Sequence, residues 1–440
     1  MERRTVLILI SIGFAALLLG SMGLYFLFFH DWEPLHPLDI SDKDLIETGA
    51  TKNGRERVVW ALNQFAVELY RQITMNSSEN IVFSPFSIYL TLCMIYEGTG
   101  GETREEMGQV LHLMDNDLER RGSFASIQND LNDRRGRVDI NVANNLWVQK
   151  GFPVKEDYRQ YVEESYFAGI AEADFGSNTP DAIEEINEWV EDQTNGRIQD
   201  LLGPGSLHES TVIAWVNALY FRGDWETQFD RSDTRDRKFI TADNRTLQVP
   251  TMYLDPEDLK DDTHFRGYYG DGIQAHELPY KGRDLSMVLM LPAPREPYRE
   301  RMPPDMIHTL ERDLSADLLD EMNEGFEESE MSIQVPKFDF ETKFSLKEKL
   351  NDMGIEKAFM PGSADLSGIS DTGSYWIEDG VHQANIRIDE KGTEAAAATA
   401  MWEDAGMSMP FQADRPFVFL IQDRETGLIL FMGRIMDPSK

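Results

Sequence analysis

Cysteine is almost missing from this sequence. Cys93 stands alone among 440 residues, so no disulfide can form within the chain and stability has to come from core burial. Cys93 itself lies in the apolar run LTLCMIY and is expected inside. Metal and redox spacings are missing as well: there is no CxxC and no HExxH, so no metal site and no cofactor are expected. The nucleophile signature GxSxG is absent, which argues against a hydrolase, and the chain is expected not to be an enzyme. Cationic side chains are scarce: 42 Lys and Arg face 78 Asp and Glu, a formal charge of −36. Such a surface repels nucleic acid, whose binding rests on Lys and Arg neutralising phosphates. The short basic cluster Arg134, Arg135 and Arg137 reads as a solvated turn. The acidity serves solubility, or it marks a halophilic adaptation in which a carboxylate shell stays hydrated and self-repulsion is screened. Arg outnumbers Lys roughly two to one, which favours adaptation to salt.

Long apolar runs are equally scarce, with one exception. Thr5 to Phe29 carries no charge and is long enough to cross a bilayer as a helix. Arg3 and Arg4 precede it, while Asp31 and Glu33 follow, so the body is expected outside the membrane. A cleaved signal peptide, leaving a secreted protein, is the alternative; Leu24 to Phe29 extends the run past the apolar core such a peptide needs. The chain thus divides into an anchor over 1–30, a polar stalk over 31–54 and a single body over 55–440.

The body holds no internal repeat and no long linker of low complexity. Val58, Ala61, Leu62, Phe65, Ala66 and Leu69 share one helical face, and Ile183, Ile186 and Val190 share another. Ser286–Leu291 and Phe417–Ile421 are short apolar runs suited to buried strands. Ile333, Val335, Phe338 and Phe340 alternate, with a slip after Pro336 that signals a bulge or a strand boundary. Helices gather in the first half and strands in the second, which gives the class α+β.

Four strings carry more. In NIVFSPFSI (80–88), Ser84 is placed to cap a helix with Pro85 at its first position. In TVIAWVNALYFRGDWETQFD (211–230), alternation predicts a strand ending near Gly223. In VHQANIRIDEKGTEAAAATA (381–400), a strand pattern through Ile386 and Ile388 runs into a tract of small residues. RPFVFLIQDRETGLILFMGRIMDP (415–438) reads as two buried strands turning at Gly427. Taken in this order from about residue 55 to the end, these strings resemble the serpin family of protease inhibitors. The resemblance implies the serpin fold: three β-sheets, about eight or nine helices and an exposed reactive-centre loop near 390–412. It implies a shutter under the main sheet made by Ser84, Ser87, Asn217 and His382, and a breach above it made by Trp225, Lys337 and Glu390. The hinge of the loop falls on Glu390, Gly392, Thr393, Glu394, Ala395, Ala396, Ala397, Ala398 and Thr399.

Read without the family, TEAAAATA favours a helix. Read with it, the tract has to become a central strand after the loop is cut. Alternate residues of a strand face opposite sides. Thr393, Ala395, Ala397 and Thr399 would then face the core, and Glu394 would face water. Small side chains let such a strand enter between two others without clashes or buried unpaired charge. Gly392 to Met407 spans about 50 Å at roughly 3.3 Å per residue, enough to carry an attached protease from one pole to the other. The resemblance therefore implies a suicide substrate. A serine protease attacks the loop, and insertion traps the acyl-enzyme. The resemblance places the expected cut at Met407–Ser408, with Gly406–Met407 as the alternative. Both favour enzymes that accept small or apolar residues, of the subtilisin, elastase or chymotrypsin kind, with a cysteine protease as a further candidate. The chain is expected to be a monomer. A non-inhibitory serpin serving as a binding or chaperone-like module is the alternative function.

Overall fold

The computed structural model describes residues 44–133, 138–166, 168–255, 265–293, 304–329, 331–392 and 411–440. The N-terminal segment 1–30, most of the stalk, the basic cluster, Thr393–Thr399 of the hinge and both candidate reactive bonds lie outside them. Among the described residues, no helix is long and apolar enough to cross a membrane.

Nine helices and sixteen strands follow one another along the described chain. The first helix, α1 (Lys52–Thr74), buries the predicted face and is capped by Thr51, whose side chain accepts from Gly54 N–H. Next come β1 (Ile81–Phe83) and α2 (Pro85–Glu97), the latter buried throughout with Cys93 inside. α3 (Gly101–Val110), α4 (Asp117–Asp133), β2 (Asp139–Gln149), α5 (Glu156–Ser165) and β3 (Gly169–Ala173) lead to α6 (Phe175–Gln193). Asn178 breaks the helical backbone in α6, so Pro180 sits in the first turn of the regular helix, where it costs no hydrogen bond. The middle of the chain is mostly strand: β4 (Ile213–Arg222), β5 (Arg235–Ile240), β6 (Thr246–Leu254), β7 (Phe265–Gly270), β8 (Ile273–Pro279) and β9 (Leu285–Pro292). Two short helices, α7 (Ile307–Asp313) and α8 (Ala316–Glu324), precede β10 (Glu327–Ser329), β11 (Ile333–Pro336) and β12 (Phe338–Ser345). The chain ends with α9 (Leu346–Met353), β13 (Gly380–Ile388), β14 (Phe411–Gln412), β15 (Phe417–Asp423) and β16 (Ile429–Ile435).

These strands form three sheets, in the orders β1-β16-β15-β9-β8-β7-β10, β14-β11-β6-β5 and β12-β13-β4-β2-β3. In the first, β9, β15 and β16 are buried along their whole length, as their unbroken apolar runs require. The slip after Pro336 is a strand boundary: β11 pairs in the four-stranded sheet, and β12 pairs with β13 in the five-stranded one. Helices and strands do not separate by halves as cleanly as expected, because β2 and β3 lie among the early helices. Polar Asn141, Asn144 and Asn145 interrupt the apolar alternation of β2, and this hides the strand. The five-stranded sheet carries α6 on one face, over a cluster that includes Trp147, Ile186, Val190, Ala214, Val216 and Ala218.

Candidate functional site

Two clusters sit along the junction of β13 and β4, in the middle of the five-stranded sheet. The junction is parallel, with His382 opposite Asn217, and its pairing runs only from Gly380–Trp215 to Asn385–Tyr220. Parallel pairs are slightly less stable per residue than antiparallel ones, so this is a weak seam.

The lower cluster lies beneath the seam. Ser84 caps α2: its Oγ accepts from Ser87 N–H at 3.1 Å and donates to the Leu430 carbonyl at 2.7 Å. Ser84 N–H donates to His382 Nε2 at 3.2 Å, which leaves the ring proton on Nδ1, facing Asn217 Oδ1 at 2.5 Å. Asn217 Nδ2 then donates to Ser87 Oγ at 2.8 Å and to Asn144 Oδ1 at 2.9 Å. The five side chains are buried. Burial pushes His382 down to about 3, so the ring is neutral near pH 7. Strand register supplies the row, since Asn144 stands opposite Asn217 and Asn217 opposite His382. Sequence reading named Ser84, Ser87, Asn217 and His382 but missed Asn144 and Thr91, whose hydroxyl lies 3.2 Å from Asn217 Nδ2. The only signal for Asn144 was a polar residue inside a strand that is otherwise rich in apolar ones.

The upper cluster closes the top of the seam. Trp225 is buried, stacks on Tyr280 with centroids 4.7 Å apart, and donates from Nε1 to the Asp389 carbonyl at 3.0 Å. Lys337, at the point where the chain changes sheets, reaches both oxygens of Glu390 at 3.1 and 2.9 Å. Thr234 donates to the same carboxylate at 2.8 Å, and Arg231 stands 3.7 Å away. Burial opposes ionisation of Glu390, but the hydrogen bonds from Lys337, the backbone and Thr234 outweigh it and hold the carboxyl below its ordinary range. Sequence reading grouped Lys337 with Glu390 and Trp225 and missed Thr234 and Arg231.

Gly392 joins these elements. It bridges Asp389 on one side and Asp224 on the other, both in the antiparallel sense. Lys391 O accepts from Trp225 N–H at 2.8 Å. Its φ is 147°, and a Cβ there would lie 2.1 Å from the Gly223 carbonyl oxygen, so no side chain fits. Gly392 thus closes a tight turn from Asp389 and bridges Asp224, just beyond the ends of β13 and β4.

The family model described as Serpin (serine protease inhibitor) matches residues 60–438. This chain belongs to the serpin family. An uncharacterised serpin-like protein of Thermococcus kodakarensis is 40% identical over 413 residues, 92% of each chain. The leukocyte elastase inhibitor of Xenopus laevis is 33% identical, covering 87% of this chain and all of that one. Among solved structures, uncleaved ovalbumin matches with a TM-score of 0.75 at 28% identity, over 87% of this serpin. The α+β architecture with three sheets is the serpin fold. Members of the family are in general protease inhibitors and not catalysts.

Proposed function

We propose that this serpin is an inhibitor that acts as a suicide substrate. A serine-type endopeptidase cuts the loop at Met407–Ser408, and the freed segment enters the β13–β4 seam as a new central strand before the acyl-enzyme is hydrolysed. The observation that carries this reading is the double bridge at Gly392. Extending the chain from that residue, antiparallel to both flanks, gives each hinge residue a defined neighbour. Gly392 stands opposite Asp224 and Asp389. Thr399 then comes level with Asn217 and His382, and Ala395 with Phe221 and Ile386. The buried faces of Asn217, His382, Phe221 and Ile386 look toward the core. Continued in this register, the inserted chain would turn Thr393, Ala395, Ala397 and Thr399 inward, in keeping with the alternation of a strand. Insertion replaces one short parallel ladder by two antiparallel ones and adds apolar burial, so it is downhill once the loop is cut.

The clusters fit the same reading. The His382–Asn217 contact is the side-chain link across the seam that has to part, and Glu390 with Lys337 fixes the turn about which the loop swings. The serpin is the substrate in this chemistry, and the protease supplies the nucleophile. Partners are proteases that accept small or apolar residues. The apolar segment 5–29 supports a further proposal, that the inhibitor is held outside a membrane by an uncleaved anchor. Membrane fractionation with N-terminal sequencing tests the anchor; a soluble product that starts after residue 29 would refute it. Incubation with subtilisin, elastase and chymotrypsin tests the mechanism. A covalent complex that survives denaturant is expected, and cleavage without such a complex for every enzyme would overturn the reading.

A further inference from the structure

The four-stranded sheet curls until its two edges meet. β5 and β14 stand at opposite ends of the strand order, yet Ile240 N–H donates to the Asp414 carbonyl at 2.8 Å. The curl encloses a cleft of about 340 Å³, and none of its lining residues belongs to either cluster along the seam. Register shows which side chains share its face. Tyr253, Gln334 and Gln412 stand level across β6, β11 and β14. Arg237 on β5 stands opposite Val249, an even step from Tyr253 along β6, so it joins the same face. Its guanidinium lies over the Tyr253 ring, 5.7 Å from the centroid. The other face of these strands carries Met252, Leu254, Ile333, Val335 and Phe411, all buried.

The polar groups of this cleft are without partners in the chain. The amides of Gln334 and Gln412 make no hydrogen bond among the described residues. Arg237 is half-buried, makes no hydrogen bond or ion pair among them, and has its Nε withdrawn from water without an acceptor. Other inward arginines of this protein hold carboxylates: Arg120 pairs with Glu97, Arg424 with Glu277 and Arg434 with Glu311. With 78 acidic residues in the chain, Arg237 is left without one. The acids nearby are engaged or turned away. Asp414 pairs with Arg415 at 3.1 Å. Asp236 and Lys238 contribute to the wall, but each is one step from Arg237 along β5, so their side chains leave by the opposite face.

We propose that this cleft is a binding site for a small organic carboxylate, of the size of a hydroxy acid or an amino acid. The volume lies at the small end of the range for ligand pockets. A partly desolvated guanidinium takes a carboxylate through two parallel hydrogen bonds, and this interaction gains strength as water is excluded. The Gln334 and Gln412 amides offer acceptor oxygens as well as donors. They suit a ligand with its own O–H or N–H better than an inorganic anion. The ligand would join β5, β11 and β14 across the cleft. β14 pairs with β11 through only two residues, so it is the strand that gains most from occupancy. The site does not depend on the inhibitory reading, and its failure would leave that reading standing.

The test titrates the intact protein with L-malate by calorimetry at fixed potassium chloride. Hydrogen exchange of residues 411–414 is followed alongside. Saturable binding is expected for the parent, with slower exchange at Gln412 and Ala413 in the complex. Arg237→Gln is expected to weaken binding at least about tenfold and to abolish the protection, as loss of a charge-assisted contact requires. Arg237→Lys should retain part of the affinity. Gln334→Leu with Gln412→Leu, which leaves the arginine in place, should weaken malate about threefold to tenfold. The uncharged diamide of malate should not bind, and inorganic phosphate should bind more weakly than malate. No saturable binding by the parent, equal binding by parent and Arg237→Gln, or binding of the diamide as tight as that of malate would overturn the site. Phosphate binding that matches malate and ignores the two glutamine substitutions would overturn the assignment of the ligand.

Discussion

Replacing His276 by Phe should make the protein both more stable and less sensitive to acid. His276 lies in β8, fully buried, stacked on Phe411 with centroids 5.3 Å apart and tilted against Phe265 at 5.5 Å. Neither ring nitrogen has a hydrogen-bond partner among the described residues. Burial drives the imidazole down to about 3 from an ordinary 6.5, against the opposing pull of the Glu277 charge. The folded state therefore keeps the ring neutral while the unfolded chain takes up a proton below pH 6.5. Stability falls as pH drops from 6.5 toward 3, and it is fully present above 6.5. At pH 5 the loss amounts to about 2 kcal/mol, from RT ln(1 + 10^1.5). His382 carries the same shift, so the two together cost about 4 kcal/mol between pH 7.5 and 5. Carboxylates held low by partners, such as Glu390, act in the same direction at lower pH. His276→Phe keeps the aromatic stack and removes two unpaired polar atoms, which should stabilise the fold by about 1–3 kcal/mol at pH 7.5. It should also halve the loss between pH 7.5 and 5. Urea unfolding midpoints of the parent and the variant at the two pH values give both numbers. A variant with the parent's full pH dependence, or one less stable at pH 7.5, would refute the burial argument.

Three further perturbations probe the seam and the surface. Lys337→Met leaves Glu390 with the backbone, Thr234 and the more distant Arg231; a loss of about 1–3 kcal/mol is expected, with faster decay of inhibitory capacity on storage as uncut loop enters the seam. Gly392→Ala forces a Cβ against the Gly223 carbonyl and should lower the unfolding free energy measured in urea by at least about 2 kcal/mol, whereas an unchanged value would show that the double bridge does not persist in solution. With a charge of −36, the melting temperature should rise in molar potassium chloride as repulsion is screened, and a flat or falling response would refute adaptation to salt.

Much of the fold and part of the site could be read from the sequence, for identifiable reasons. The face of α1 has a regular period and β9, β15 and β16 are unbroken apolar runs, so burial follows from the pattern. Ser84 declared itself as a cap because a hydroxyl before Pro85 has one obvious local role. His382, Asn217 and the Lys337–Glu390 pair were legible through family motifs, since nothing local says that residues 165 positions apart meet. Asn144 stayed hidden because it joins by strand register, and Thr234 because it meets Glu390 across 156 positions of chain; no single segment encodes either. The double bridge at Gly392 was invisible for the same reason. A glycine before an alanine tract suggests flexibility, whereas the structure uses it where two strands come too close for any Cβ.

The central claim is that cutting the loop traps the protease through strand insertion, and one measurement tests it most directly. The serpin is mixed with subtilisin, elastase and chymotrypsin, then analysed by denaturing electrophoresis and mass spectrometry, alongside an Ala395→Arg variant. A denaturant-stable complex is expected for the parent, with a released peptide beginning at Ser408. The variant, which would bury an unpaired charge on insertion, should be cut at the same bond with little or no complex. Equal complex formation by parent and variant would contradict insertion, and cleavage of the parent with no complex would contradict trapping itself.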